Sequence, residues 1–407
     1  MTVFNPEHEQ CLSNGNRHYC PDSSSRKFAQ DCAQIMRFAL SGEQINVWGW
    51  DLVLKNRLVN QGIPESSLPS DDYIALIRRL AHRRESLRLS EYLRSTLGGT
   101  KLSFPAQREA RSLEELSEFI ETYGDVMVKS PWSSSGKGLR RLYKGMVTDN
   151  DWGRCRRVME KQGSLIVEQL QDPVLNVGIQ MHIKQGKAAL ENYSIFETCR
   201  CAYKDNLLVS DDYVRRQCAL YLPDGLLDSV CEAIAGYLEQ SEFRHYSGYL
   251  GVDTYLLRTG EGTYMLRPCV EINLRMTMGI VASRVYNHFK DRFADGEYLM
   301  ETVYEPTPEA LRQRVSQASE ILTPLKDDSL YAIVIRSRSK LTGLNPSLHE
   351  IIALIGFFIQ PSKKLPFPSA RLSTNSRIEA QADSHRPSGR SPFSEIQLCP
   401  TTRSQAC

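Results

Sequence analysis

Two short segments carry the residue types of a nucleotide–magnesium site. The first is Val126-Met-Val-Lys-Ser-Pro-Trp-Ser-Ser-Ser-Gly-Lys-Gly138, an apolar β-branched run that ends on Lys129 and passes into a loop of little side-chain bulk. A lysine delivered by a strand neutralises phosphate oxygens, while the N–H groups of a small-residue loop wrap a terminal phosphate. Ser133, Ser134 and Ser135 add hydroxyl donors, Gly136 and Gly138 allow close backbone approach, and Lys137 stands between them. This is not a Walker A loop, because Pro131 stands where the first glycine should be. The plainer reading of the segment is a surface hairpin with a solvated lysine.

The second segment is Glu271-Ile-Asn-Leu-Arg275. On a strand, Glu271, Asn273 and Arg275 share one face, and Ile272 and Leu274 take the other. Magnesium takes carboxylate or amide oxygens and bridges to phosphates, and Asp253 on the predicted partner strand reaches the same face. The donor fork of Arg275 suits a phosphate or a substrate carboxylate. A half-exposed strand with a polar face is the alternative, but it does not favour Glu, Asn and Arg at alternate positions of an apolar run. A third segment, Leu165-Ile-Val-Glu-Gln-Leu170, suits a hinge in which Glu168 and the backbone of Gln169 and Leu170 read an adenine edge. Taken alone it is ordinary strand-then-loop sequence.

The elements that must position these residues can be read around them. Residues 45–49 form a short strand, and Asp51 caps a helix over 52–60 that Gly62 ends, the opening βα unit of an α/β domain. Residues 28–40 suit a helix within a polar N-terminal stretch. Ser70 or Asp71 starts an arginine-rich helical stretch whose Arg78 to Arg88 read as a solvated face. Ser112-Leu-Glu-Glu115 is a capping box for a helix to about Tyr123. Strands are expected over 126–129, 139–143 and 165–169, with a helix over 150–161. Hairpins are expected over 174–196 and 249–273, helices over 224–240 and 277–293, and a strand over 331–335. From Pro361 the chain turns rich in serine, proline and arginine, the composition of a disordered tail.

Composition bounds the answer. With 407 residues, 41% hydrophobic and 24% charged, the chain has the make-up of a soluble protein of two or three packed units. A formal net charge of +2 argues for neither nucleic acid nor an anionic membrane. Pro6, Glu7, His8 and Glu9 stand where an export signal needs apolar residues, and the longest apolar run is far too short to span a membrane. Eleven scattered cysteines, with Cys199 and Cys201 the one close pair, read as reduced thiols of a cytoplasmic protein.

In their order, these segments resemble the ATP-grasp superfamily over residues 100–290: the lysine strand and Ser/Gly flap, the Val-Glu-Gln hinge, and Gly251-Val-Asp253 followed by Glu271-Ile-Asn-Leu-Arg275. The resemblance implies an α/β and α+β architecture. A small Rossmann-like domain over 1–100 would precede an ATP-grasp domain over 101–300 with its lid over 125–170, followed by a packing segment over 301–360 and the tail over 361–407. It implies two lobes that clamp ATP. Lys129 binds phosphate, residues 133–138 cover the triphosphate and residues 168–170 meet adenine. Asp253, Glu271 and Asn273 hold one or two Mg²⁺, with Mn²⁺ as a substitute, and Arg275 contacts the γ-phosphate or an acyl phosphate, so Arg275 and Lys129 are the catalytic candidates.

This sequence departs from the pattern at three places. Asn176 stands near the position of the usual ribose-binding acid. The upstream phosphate-binding cation has three candidates, Arg83, Arg84 and Lys101, and Arg267-Pro-Cys-Val before Glu271 is not purely apolar. In residues 196–206, Arg200, Tyr203 and Asn206 are candidates for acceptor recognition, with plain surface as the alternative; His182 reads as a packed side chain. The resemblance implies an ATP- and Mg²⁺-dependent carboxylate–amine ligase acting on small molecules, an amino acid or peptide among them, with a homodimer as one assembly it admits. Two other readings stay open: a phosphotransferase, and a nucleotide-binding module without turnover.

Overall fold

The computed structural model describes residues 1–39, 45–99, 101–133, 136, 138–199, 201–260 and 262–338, all within one compact unit that spans Met1–Gly343. Ser134, Ser135, Lys137, Arg200 and the tail over 361–407 lie outside the described residues.

The N-terminal segment opens on β1 (Thr2–Val3), α1 (His8–Asn14) and α2 (Ser23–Cys32), followed by a 3-10 turn over Ala33–Phe38. The helix starts upstream of the expected 28–40 because the Asp22 carboxylate accepts the Ser25 N–H and caps it. The expected βα unit follows as β2 (Asn46–Val47), parallel to β1, and α3 (Leu52–Asn60), whose N-cap Asp51 accepts from Leu54 N–H at 2.8 Å. Next come α4 (Asp71–Leu80), capped by Ser70, and α5 (Arg84–Leu97).

A four-stranded antiparallel sheet forms one lobe. In chain order its parts are β3 (Gln107–Ala110), α6 (Leu113–Tyr123), β4 (Val126–Lys129), β5 (Leu139–Leu142), α7 (Asp149–Gln162) and β6 (Leu165–Gln169), with strand order β3-β6-β4-β5. Strand alternation decides what faces where. Val126, Val128, Leu165 and Val167 pack under α6 and α7 with Phe119 and Ile120, which leaves Met127, Lys129 and Glu168 on the opposite face.

The other lobe is an eight-stranded antiparallel sheet. Its elements are β7 (Pro173–Lys184), β8 (Lys187–Cys199), β9 (Ala202–Leu208), α8 (Asp211–Ala219), α9 (Leu226–Gln240), β10 (Gly248–Arg258), β11 (Tyr264–Asn273), α10 (Met278–Phe289), β12 (Tyr298–Tyr304), α11 (Pro308–Val315), β13 (Glu320–Ile321) and β14 (Tyr331–Ser337). The strand order is β11-β10-β7-β8-β9-β12-β14-β13. Both expected hairpins are present as β7–β8 and β10–β11. Residues 196–199 and 202–206 belong to the ends of β8 and β9, where Phe196, Thr198 and Tyr203 suit a pleated surface. Cys199 pairs with Ala202, and Cys201 at φ 68 completes the tight turn between them.

One core joins the N-terminal segment to this sheet. Phe4, Ile35, Met36 and Trp48 pack against Ile280 and Val285 of α10 and against Met300, Ile333 and Ile335 of β12 and β14. The cysteines among the described residues are unpaired thiols, most of them buried. No described helix is long and apolar enough to cross a membrane.

Phe4 is 5% exposed and meets the rings of Phe28 and Trp48 edge-on at 5.4 and 5.0 Å. Phe4→Ala is expected to destabilise the unit by about 3–5 kcal/mol. Urea unfolding followed by circular dichroism and by tryptophan fluorescence should move together; a midpoint left in place would mean that the N-terminal segment does not share the core.

Candidate functional site

The cleft between the two sheets is built around one buried carboxylate. Glu168, on β6, accepts from Lys129 Nζ at 2.9 Å through Oε1 and from Arg267 Nη2 at 2.5 Å through Oε2. All three side chains are buried, and Arg267 also donates to the Tyr255 hydroxyl at 3.0 Å. Burial pushes the Glu168 carboxyl up, but the charges of Arg267 and Lys129 outweigh it and hold the group below its usual range. Lys129 Nζ donates further to the carbonyl of Val270 at 3.2 Å, the residue before Glu271. The lysine strand and the acidic strand therefore meet in one crevice.

The segment expected as the hinge, residues 168–170, is tied into the four-stranded lobe. Each Glu168 oxygen faces a cation, Oε1 Lys129 and Oε2 Arg267. The N–H of Gln169 donates to Ala106 O at 2.8 Å and that of Leu170 to Asp125 O at 2.9 Å, and the Gln169 side chain points to solvent. Leu170 contributes as an apolar wall, with Met127, Pro173 and Tyr255, and Asn176 lines the cavity beside them.

The acidic side follows from the register of β10 and β11, in which Asp253 stands directly opposite Glu271 and Gly251 opposite Asn273. The Asn273 amide donates to Asp253 Oδ2 at 3.1 Å. Burial, and then the facing charge of Glu271, push the Asp253 carboxyl up to about 7. A cation placed between the two carboxylates would relieve both causes. Among the described residues no cluster of three or more His, Cys, Asp or Glu forms a protein cage for a metal. Two carboxylates and one amide oxygen facing an open cleft fit an ion that keeps waters and bridges to phosphates, as Mg²⁺ does.

Arg83 is the cation of the three upstream candidates that enters the cleft. It is 5% exposed and donates to Glu271 Oε1 at 2.6 Å, Ser130 O at 2.5 Å, Ser133 Oγ at 2.6 Å and Ser133 O at 2.9 Å. Arg84 turns away to Glu109 at 2.8 Å, and Lys101 is not among the cavity-lining residues. The reading of residues 78–88 as a solvated face therefore fails at Arg83. It stands at the junction of α4 and α5, where no helical periodicity assigns it a side. Arg275 lines the cavity, donates to Asn273 Oδ1 at 3.2 Å and is ion-paired with Glu9 of α1. Glu9 and Arg267 were absent from the sequence candidates. Arg267 had a usable signal, since it shares the inward parity of Cys269, Glu271 and Asn273 on an apolar strand. Glu9 had none.

The flap closes on the β8–β9 turn. Gly136 adopts φ 75, and a Cβ there would overlap the carbonyl of Cys201, so both the backbone angle and the close approach call for glycine. Around these residues lies a cavity of about 1160 Å³, lined also by Tyr203 and Asn206, whose hydroxyl and amide are joined at 2.7 Å. His182 is stacked on Tyr249 at 4.3 Å, a packed ring as expected.

Arg267→Met removes one of the two cations that hold Glu168, leaves the buried carboxylate to Lys129 alone, and is expected to cost about 3 kcal/mol of stability. Glu168→Gln should cost more, because it strands both Lys129 and Arg267, and adding Arg267→Met to it should restore part of the loss by removing one of the two stranded cations. With the folded pKa of Glu168 depressed, its stabilisation holds above the ordinary carboxylate range and is lost as pH falls through the lowered value. Denaturant titrations of the wild type, both single variants and the double variant at neutral and acid pH check this; additive losses would contradict it.

No protein-family model matches this chain, and no curated protein matches it. Among solved structures it is similar to N5-carboxyaminoimidazole ribonucleotide synthetase from Thermus thermophilus, at 13% identity and a TM-score of 0.44 over 90% of this chain and 100% of that one. It is similar to N5-carboxyaminoimidazole synthase from Aspergillus clavatus in complex with ADP and 5-aminoimidazole ribonucleotide, at 13% identity and a TM-score of 0.44 over 76% and 81%. It is also similar to the biotin carboxylase domain of the Hydrogenobacter thermophilus 2-oxoglutarate carboxylase, at 13% identity and a TM-score of 0.43 over 71% and 69%. These are likenesses of fold.

Proposed function

We propose that this chain is an ATP- and Mg²⁺-dependent ligase of ATP-grasp type that joins a carboxylate to an amine. The observation that carries the reading is the bond from Lys129 Nζ to Val270 O, which sets the cation of one sheet beside the Asp253–Glu271 pair of the other.

In this reading Lys129 and Arg83 neutralise phosphate oxygens. Arg83 also fixes the base of the flap through Ser130 and Ser133, and Arg275 offers its donor fork to the transferring phosphoryl group or the acyl phosphate. Asp253, Glu271 and Asn273 would hold Mg²⁺, which supplies charge neutralisation to the phosphates when bound. A carboxylate oxygen attacks the γ-phosphorus and ADP leaves. The amine nitrogen then attacks the acyl carbon, phosphate leaves, and the nitrogen gives up a proton. The chain contributes alignment and fixed charge rather than a covalent intermediate of its own.

A second reading, a nucleotide-binding module without turnover, is favoured by one observation: Arg83 already holds Glu271 at 2.6 Å. ADP release over a panel of carboxylates and amines separates the readings. Turnover with Lys129→Ala and Glu271→Ala each lowering it about 10²-fold or more supports the ligase. ATP binding without ADP release supports the module, ADP with a stable phosphoester identifies a phosphotransferase, and equal turnover in all three proteins removes the site.

The metal half has its own test. Because the folded pKa of Asp253 is raised to about 7 from 3.8, its contribution to stability falls as pH rises across that window. Mg²⁺ competes with the proton below 7 and relieves the charge repulsion above it. The thermal shift produced by millimolar Mg²⁺ should therefore grow from pH 6 to pH 8, and Asp253→Asn should flatten that dependence. A shift that is larger at pH 6 would contradict the assignment.

A further inference from the structure

The cavity has a second region that the phosphate and metal residues do not use. Its floor continues along the eight-stranded sheet past β7, through β8, β9, β12 and β14. At roughly 4.8 Å between strands, the path from Asp253 on β10 to Tyr331 on β14 is about 24 Å long. Five aromatic rings form a continuous wall over this stretch. Trp48 touches Phe4 at 5.0 Å, Phe4 touches Phe28 at 5.4 Å, Phe28 touches Tyr331 at 5.2 Å and Tyr331 touches Tyr304 at 4.8 Å. All five line the same cavity as Lys129 and Glu271. The wall begins at the reacting end, because the guanidinium of Arg275 lies 5.7 Å from the Trp48 ring.

Charge divides the cavity. Its lining cations, Lys129, Arg83, Arg140, Arg141 and Arg275, come from β4, β5, the α4–α5 junction and the end of β11. Among the described residues, none of the lining groups from α2, β8, β9, β12 or β14 is charged. The polar groups there are hydroxyls and one amide, such as Thr198, Thr302 and Asn206. A phosphate or carboxylate carried into this region would lose water without meeting a counter-charge. A flat apolar ring would instead find edges and faces to pack on.

Resting on the ligase reading above, we propose that the acceptor site takes a substrate whose reacting carboxylate or amine carries an uncharged aromatic ring, seated on the wall of Phe4, Phe28, Trp48, Tyr304 and Tyr331. Phosphate esters and short aliphatic acids are excluded by the same geometry, the first for want of a cation and the second for want of contact area. Tyr304 is 54% exposed at the rim, so its ring serves the cavity and not the core.

The test is calorimetric titration of the full chain with Mg²⁺ and the non-hydrolysable analogue AMP-PNP. Phenylalanine, tryptophan and 3-phenylpropionate are compared with alanine, propionate and ribose 5-phosphate. The expected result is that an aromatic member binds at least tenfold tighter than its aliphatic counterpart and that ribose 5-phosphate binds no better than propionate. Tyr304→Ala and Phe28→Ala should erase that preference and leave AMP-PNP affinity unchanged. Equal or tighter binding of the aliphatic or phosphorylated members, or no binding by any aromatic one, overturns the proposal. If AMP-PNP itself fails to bind, the ligase reading falls, and the same titrations without nucleotide decide the aromatic wall by the same criterion.

Discussion

The Glu168 carboxylate, held between Lys129 and Arg267, is the contact on which the cleft depends. Lys129 and Glu168 belong to the four-stranded sheet and Arg267 to the eight-stranded one, so the cluster ties the two sheets together at the floor of the crevice. Arg83 repeats the device at the far side, binding the flap at Ser130 and Ser133 to Glu271. A cation buried between elements from separate parts of the chain gives up hydration, and fixed acceptors must replace it. Each arginine has that replacement: Arg267 has Glu168 and Tyr255, and Arg83 has a carboxylate, a hydroxyl and two carbonyls. These contacts set the distance between the phosphate-facing lysine and the acidic pair.

Much of this arrangement is written in local sequence, and the part that is not has a physical cause. Strand alternation put Lys129 opposite the lid core, and it put Asp253, Glu271 and Asn273 on one face, because period-two patterning depends only on neighbours. The caps at Asp51, Ser70 and Ser112 were legible for the same reason. Strand β12 was missed because both its partners are distant in sequence, and β9 because it carries polar residues on its cleft face and follows β8 through a turn that no Gly, Asn or Asp marks. Arg83 was hidden at a helix junction. Glu9, Phe4 and Phe28 sit in a polar stretch and make their contacts with one another, with Trp48, or with residues from the far end of the unit. Nothing local marks such residues as belonging to a site.

The N-terminal segment up to Trp48 carries more of the cleft than its composition suggests. Phe4 and Trp48 anchor in the core of α10 and β14, and Glu9 turns back to pair with Arg275. The residues that fix this segment in place thus also wall the uncharged half of the cavity. Core packing and cavity lining are one set of contacts here. The specificity of the uncharged half is tied to the stability of the segment that builds it.

The charged half is balanced within the protein. Lys129 and Arg267 share Glu168, Arg83 is matched by Glu271 and Arg275 by Glu9, and Asp253 faces Glu271 with its carboxyl raised to about 7. A triphosphate entering alone would have to draw these cations from carboxylates that would then stand unpaired in a buried setting, at a cost of several kcal/mol for each. A divalent ion that arrives with the phosphates changes the sum: it takes over Glu271 and Asp253 and frees the Arg83 fork without stranding a charge. In the proposed reaction the metal is therefore required for nucleotide binding itself, before any phosphoryl transfer, and nucleotide and ion should bind with strong positive coupling. The pairing of Arg83 with Glu271, which favours a silent module when seen alone, is on this view the resting arrangement of a site that opens to the two together.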